Sequence, residues 1–179
     1  MEEMEVPTEH LQEHINEHAK ESKERWSLYV ALSTAFMAVF AAVGGLVAGH
    51  HANEALIEEI RSSNQWAYYQ SKSIKSEIVQ SSDSIISKLS GHPVPAEDIK
   101  KAERYEKEKE GIRQEAEAAE KRSEQHLNIH NTLARGVTLF QIAIAMAAIA
   151  ILTKRRFIWT ISILFAAGGL LFLVIGTFF

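Results

Sequence analysis

Histidines recur at helical spacing near the N-terminus of this chain. His10, His14 and His18 lie four residues apart, each directly after a glutamate, in the stretch EHLQEHINEH. Because residues i and i+4 share a helix face, neighbouring histidines there could chelate a divalent transition metal. The alternative is an amphipathic helix that lies on a membrane surface, with Leu11 and Ile15 on its apolar side.

A second group of histidines and glutamates lies on both sides of a central turn. Folding the chain about Pro93 brings the two sides together. A His/Glu cluster at a helix–helix seam resembles a metal site in outline. The chain contains no E-x-x-H pair, however, and the alternative is that these histidines only set the register of the seam. The group consists of His50, His51, Glu54, Glu58, His126 and His130.

Aromatic and amide side chains are concentrated in residues 64–75, NQWAYYQSKSIK. Trp66, Tyr69 and Gln70 crowd one side of the predicted helix, and large aromatic side chains favour contacts with partner proteins. The alternative for these three residues is packing within the chain.

Three apolar segments are long enough to cross a bilayer, which takes roughly 20 residues. They span residues 27–49, 133–152 and 157–179. Trp26 precedes the first segment, at the position where an amphipathic ring favours the membrane interface. A cleaved signal peptide is the alternative for the first segment, but the run is too long and an acidic stretch precedes it. We expect three transmembrane helices.

The short basic stretches predict the orientation of these helices. Lysine and arginine near span ends favour the cytoplasm, and the turn between the second and third spans is basic. Further basic residues in the acidic, His-rich segment 1–26 point to the same side. We therefore expect a cytoplasmic N-terminus, with residues 50–132 and the C-terminus periplasmic or extracellular; the inverted topology is the alternative. The basic turn consists of Lys154, Arg155 and Arg156.

The segment between the first two spans has the pattern of a long helical hairpin. Residues 50–132 contain almost no Gly or Pro outside the turn SGHPVPA at 90–96. This predicts two antiparallel helices of about 40 residues, or about 60 Å, each. The predicted fold is thus an all-α membrane protein with three transmembrane helices and a coiled-coil-like hairpin between the first and second.

Both halves of the predicted hairpin carry residues at alternating spacings of three and four, which is the spacing of a coiled-coil seam. The seam is rich in Ala and Ser, so it buries little apolar area, and we expect a homo-oligomer. In the second half the seam consists of Ala102, Tyr105, Lys109, Ile112, Ala116, Ala119, Ser123, His126, His130, Leu133 and Val137. In the first half we expect a matching seam of Ile57, Ile60, Ala67, Ile74, Ile78 and Ile85, interrupted by Asn64, Ser71 and Ser81.

Composition argues against several classes of function. The net charge is −4, without a basic patch, so nucleic acid is not an expected partner. No cysteine is present, which removes thiol nucleophiles and thiolate metal sites. The spans lack Asp, Glu and His, which ion-coupled pumps usually carry. Ala41, Gly45 and Gly49 recur every four positions and favour close helix association, unless they only reflect the abundance of small residues in membrane helices.

Four motifs together resemble a known family. They are EHLQEHI, ERWSLYVALSTA, AGHHANEA and NQWAYYQSKSIK. With the apolar C-terminal hairpin, they make the chain similar to the bacterial membrane-protein family filed as domain of unknown function 4337. The resemblance implies a bacterial inner-membrane protein, and it implies no activity, cofactor or site residue.

The sequence therefore predicts an oligomeric, membrane-anchored helical scaffold or interaction protein. The lipid bilayer and further copies of the chain are the expected partners. The alternative is a small channel or a metal-handling membrane protein that uses the histidines. We expect no enzyme, because no phosphate loop and no paired acid–base motif is present.

Overall fold

Three α-helices make up the part of the chain that this computed structural model describes, which is residue 13 and residues 25–91 and 95–178. Helix α1 is Arg25–Ser90, helix α2 is Ala96–Thr153 and helix α3 is Arg156–Phe178. Over those residues the structure has no strand. Each helix contains a segment long and apolar enough to cross a membrane. The predictions of an all-α fold and of three such helices are confirmed.

The reversal between helices α1 and α2 begins at a glycine cap. Gly91 has a φ of 69°, and its N–H donates to the Ser87 carbonyl at 3.0 Å, which closes the last turn of helix α1. Helix α2 starts after Pro95, whose carbonyl accepts the Asp98 N–H at 3.0 Å. Glu97 and Asp98 lie in its first turn, where negative charge stabilises the helix dipole.

The turn between helices α2 and α3 is tight and uses a lysine where glycine is usual. Lys154 has a φ of 52°. Its N–H donates to the Ile151 carbonyl at 3.2 Å, and the Arg155 N–H donates to the Ala150 carbonyl at 3.1 Å. This pair of hydrogen bonds is the Schellman motif, which ends a helix and reverses the chain within two residues.

Contacts divide the chain into two compact units, the first being Met1–Ala52 with Leu127–Phe179. Its core combines small residues of helices α1 and α2 with a few large ones. Phe140 and Ile144 are almost fully buried, and the Phe140 ring stacks on Phe40 with 6.0 Å between centroids. The Ser162 hydroxyl of helix α3 is buried and donates to the Ala143 carbonyl at 2.7 Å. Small side chains thus let the helices of this unit approach closely.

The second unit is Asn53–His126. We name residues 53–90 of helix α1 the first arm and residues 96–126 of helix α2 the second arm. The arms run antiparallel, because partners of increasing number on one arm have decreasing number on the other. The pairs are Ala55 with Ser123, Glu58 with Arg122, Gln65 with Glu115, Lys72 with Glu108 and Ser76 with Glu106.

The predicted seam of the second arm faces the first arm. Ile112, Ala116, Ala119 and Ser123 are buried, and the other seam positions of this arm are half-buried. The residues on either side of the seam are mostly exposed. The heptad spacing in this arm therefore identified the inward face.

The predicted seam of the first arm is wrong. Its isoleucines point away from the second arm, with exposed fractions between 52% and 59%. The inward face instead carries Ala55, Ser62, Tyr69 and Ser76, at intervals of seven residues. Because the polar partners of the second arm all bond to this face, the isoleucines on the opposite side of the helix are left outside. The misplaced residues are Ile57, Ile60, Ile74, Ile78 and Ile85.

Candidate functional site

Three of the candidate histidines lie in the first unit. His130 is half-buried, and its Nδ1 lies 2.8 Å from the Ala48 carbonyl oxygen, a hydrogen bond between helices α2 and α1. The rings of His50 and His51 are tilted against each other with 5.4 Å between centroids. His130 therefore ties two helices together through one nitrogen, which is the register role considered for the seam histidines.

The candidate glutamates lie in the second unit, where Glu58 forms an ion pair between the arms. Arg122 donates to one Glu58 carboxylate oxygen through Nε at 2.9 Å and through Nη2 at 2.8 Å. Arg61 adds a contact of 3.4 Å from the same arm. The hydrogen bond from Arg122 holds the pKa of Glu58 below its ordinary value. Glu54 and His126 are half-buried in the same unit.

The histidine hypothesis receives no geometric support in the described part of the chain. Across residues 25–91 and 95–178 no three His, Asp or Glu side chains converge in a way that could hold a metal ion. Glu58 would have to give up two guanidinium partners to become a ligand. The N-terminal candidates, His10, His14 and His18, lie outside the described residues.

Aromatic residues of the first arm contact each other and lysines of both arms. Trp66 meets Tyr69 edge to face, with 5.6 Å between ring centroids. Lys109 of the second arm lies over the Tyr69 ring at 5.7 Å and donates to Glu106 at 3.0 Å. Trp66 and Tyr69 are half-buried, whereas Gln70 is exposed. Tyr69 thus packs within the chain, and Gln70 is open to a partner.

Lys72 contacts aromatic rings of both arms. Its ammonium group lies between the rings of Tyr68 and Tyr105, at 5.5 and 5.3 Å from their centroids. It also donates to the carboxylate of Glu108. That hydrogen bond raises the pKa of Lys72 above its ordinary value and lowers the pKa of Glu108 below it. Two aromatic faces and one carboxylate therefore hold a single cation where the arms meet.

The polar bonds that set the register of the arms were not identified from the sequence. Ser76 donates to Glu106 at 3.1 Å, and Gln65 donates to Glu115 at 3.0 Å. The sequence pattern that indicates these bonds is a small or polar residue at every seventh position of the first arm, which complements an Ala-rich second arm. Among the described residues, every buried side-chain nitrogen or oxygen has a hydrogen-bond partner. The polar groups that pair the arms between residues 55–76 and 106–123 are therefore satisfied by each other.

The predicted topology anchors meet in the first unit. The Arg156 guanidinium lies 5.7 Å from the centre of the Trp26 ring. Lys154 and Arg155, like Arg156, are exposed. An interfacial aromatic ring and a basic turn thus lie side by side, an arrangement that suits the headgroup region of a bilayer.

Comparison with known proteins gives one match. The family model described as Domain of unknown function (DUF4337) matches residues 26–179. No curated protein and no solved structure matches the chain.

Proposed function

Since the chain belongs to the family Domain of unknown function (DUF4337), we propose its function from the geometry of its own two units. It is a membrane-anchored helical scaffold of the bacterial inner membrane. The first unit anchors the chain through three spans. The second unit presents a coiled-coil-like hairpin for contacts with other proteins, and it carries out no catalysis.

One observation carries this proposal: the two arms use their polar groups on each other. Glu58, Lys72 and Glu106 each form a hydrogen bond with a residue of the opposite arm. A binding or catalytic cleft needs convergent polar groups that remain available for a ligand. Where the arms pair in this way, between residues 55–76 and 106–123, the hairpin acts through its outer surface, as scaffolds and interaction modules do.

Self-association is part of the proposal, because the interface between the arms is thin. Its buried apolar residues are Ala55, Ile112, Ala116 and Ala119. Small side chains remove little apolar surface from water, and burial of such surface is the main stabilising contribution in folding. Packing against further copies adds the burial that a single pair of arms lacks.

The mass of the full chain in detergent and in lipid nanodiscs tests this proposal. We expect a defined multiple of the 20.1 kDa chain mass over a wide range of protein concentration. Light scattering, corrected for bound detergent and lipid, gives the number of chains. A monomer throughout that range would refute self-association and leave only the anchor.

Elemental analysis of the same samples separates the scaffold from the metal-handling alternative. The matched variant changes His126 and His130 to Ala. We expect no stoichiometric transition metal in either protein and the same number of chains in both. Stoichiometric metal that disappears in the variant would overturn the scaffold in favour of metal handling.

A further inference from the structure

The outer side of the first arm carries an unpartnered apolar stripe. Five isoleucines are each more than half exposed, on the side of the helix opposite the second arm. Asn64, Ala67, Ser71 and Ser81 fill the gaps, so the positions alternate in steps of three and four without a break. We name these nine positions the isoleucine stripe; the isoleucines are Ile57, Ile60, Ile74, Ile78 and Ile85.

Neither water nor the hydrocarbon core of a bilayer is a favourable environment for this stripe. The arm carries nine charged residues among residues 53–90, so it is too polar to lie in hydrocarbon. A helix that lies on a membrane surface carries a strongly basic polar face. The residues that flank the stripe are mixed instead: Leu56, Ser63, Gln70 and Glu77 lie on one side, and Arg61, Tyr68, Lys75 and Ser82 lie on the other. The stripe is therefore built for a protein partner.

We propose that the isoleucine stripe packs against the same stripe of a second copy of this chain, parallel and in register. The inference rests on the proposed function, because anchoring gives every copy the same orientation. The stripe begins eight residues after the first span in the same helix, so equivalent residues of two copies lie at equal height. Alternating steps of three and four are the spacing that a second helix of the same pitch requires.

The residues within and beside the stripe fit this arrangement. In the coiled-coil repeat Ile57, Asn64, Ser71, Ile78 and Ile85 occupy the a positions, where a single asparagine specifies the register. In register, each Asn64 amide faces its equivalent and both can hydrogen-bond. A shift by one heptad would place Asn64 against Ile57 or Ser71 and leave an amide without its match.

The flanking charges are compatible with the same pairing. In a parallel pair each g residue faces the e residue five positions later in the partner. These pairs place no two like charges together. They are Leu56 with Arg61, Ser63 with Tyr68, Gln70 with Lys75 and Glu77 with Ser82.

Single-cysteine cross-linking of the full chain in nanodiscs tests the surface, its partner and its direction. The chain contains no cysteine, so each introduced thiol is unique. Ile57→Cys and Ile78→Cys place a thiol near each end of the stripe. Glu59→Cys and Gln80→Cys are the matched controls, exposed and two residues further along but off the stripe. Copper phenanthroline is the oxidant, and disulfide-linked dimers are scored on non-reducing gels.

We expect dimers at both stripe positions and none at the controls, because only a parallel, in-register pair brings both equivalent positions together. Cross-linking at Ser71→Cys alone would indicate antiparallel pairing and overturn the proposal. So would an oligomeric wild type without cross-links at Ile57 and Ile78, although self-association would then stand. A monomeric wild type would refute the self-association in the proposed function, and the stripe proposal with it.

A second variant checks the result without a cross-linker. Changing Ile57, Ile74 and Ile78 together to Ser makes the outer side of the first arm polar and leaves the contacts between the arms in place. We expect the loss of the oligomer and an unchanged far-ultraviolet circular dichroism spectrum. Full retention of the oligomer would overturn the proposal.

Discussion

At the scale of single residues, glycines decide how closely helices α2 and α3 approach. A Cβ at Gly136 would lie 3.0 Å from the Gly169 carbonyl oxygen and 3.2 Å from the Phe172 Cβ. Since one neighbour is backbone, it cannot rotate away. We expect Gly136→Ala to lower the free energy of unfolding of the full chain by about 1–3 kcal/mol, the usual cost of overpacking. Titration with sodium dodecyl sulfate, followed by circular dichroism, measures this change.

Gly45→Ala is the matched control in the same unit. A Cβ at Gly45 meets nothing within 4 Å, and alanine has a higher helix propensity than glycine. We expect an unchanged or slightly higher free energy of unfolding. An equal loss in both variants would mean that close approach at Gly136 does not determine stability.

The sequence predicted close helix association through the face of Ala41, Gly45 and Gly49, whereas the close approaches within this unit lie at other glycines. Ala41 is buried, whereas Gly45 and Gly49 face open space. Close approach occurs at Gly44, where Leu173 and Val137 lie within 3.1 Å of the Cβ position, and at Gly136. A repeat of four marks a small helix face, but the neighbour that this face meets depends on the packing of all the helices.

At the scale of elements, ionised glutamates stabilise the pairing of the arms. Hydrogen bonds from Arg122 and Lys72 on the opposite arm hold the pKa values of Glu58 and Glu108 below the ordinary 4.5. A lowered pKa contributes stability that is complete above the unfolded value and is lost as the pH falls through the folded value. We expect the arms to lose stability below pH 4.5, measured by urea titration of the full chain.

A single tryptophan reports on this unit alone when Trp26 and Trp159 are changed to Phe, since Trp66 packs on Tyr69 within the first arm. In that background, Glu58→Gln should be less stable than its parent at pH 7, and the difference should vanish in acid. The pKa of Lys72 is raised, so the stability that its ammonium group contributes is lost only as the pH rises above 10.5. A difference that persists unchanged in acid would contradict the role of Glu58.

The two arms differ in how far their inward faces followed from the sequence. In the second arm Ile112, Ala116 and Ala119 lie at the predicted seam spacing and are buried, so periodicity identified the face. In the first arm the most apolar positions are exposed. Hydrophobic periodicity identifies a face that avoids water, but it does not distinguish a face covered by the same chain from one left for another. The ion pairs of Glu58 and Lys72 with the other arm decide between them.

At the scale of the whole molecule, the segregation of charge predicted the number of helices better than their function. Apolar runs of membrane length, with Arg135 as their single charged residue, became parts of helices α1, α2 and α3, because only helices satisfy every backbone group within an apolar segment. The helices end where Gly91 and Lys154 adopt positive φ. No such rule leads from side chains to function here, because the polar groups of residues 55–76 and 106–123 bond to each other and name no ligand.

The basic turn at the end of helix α2 predicts the orientation of the whole molecule. Its three cations lie exposed between two spans, next to the ring of Trp26. Keeping such a turn in the cytoplasm avoids moving its charges across the bilayer, whereas long segments cross largely regardless of charge. We therefore expect a reporter inserted at Gly91 to lie outside the cytoplasm. Alkaline phosphatase at this site should be active, and a green fluorescent reporter should be dark.

Changing Lys154, Arg155 and Arg156 together to Gln gives the control, because it removes the charges that oppose translocation of the turn while the apolar spans stay the same. The remaining bias comes from basic residues before the first span, so we expect a mixed population in which phosphatase activity per chain falls and fluorescence appears. If the unaltered chain fluoresces at Gly91 and its phosphatase fusion is inactive, the hairpin lies in the cytoplasm. The partners of its outer surface must then be sought there, although copies would still share one orientation and the isoleucine stripe could still pair.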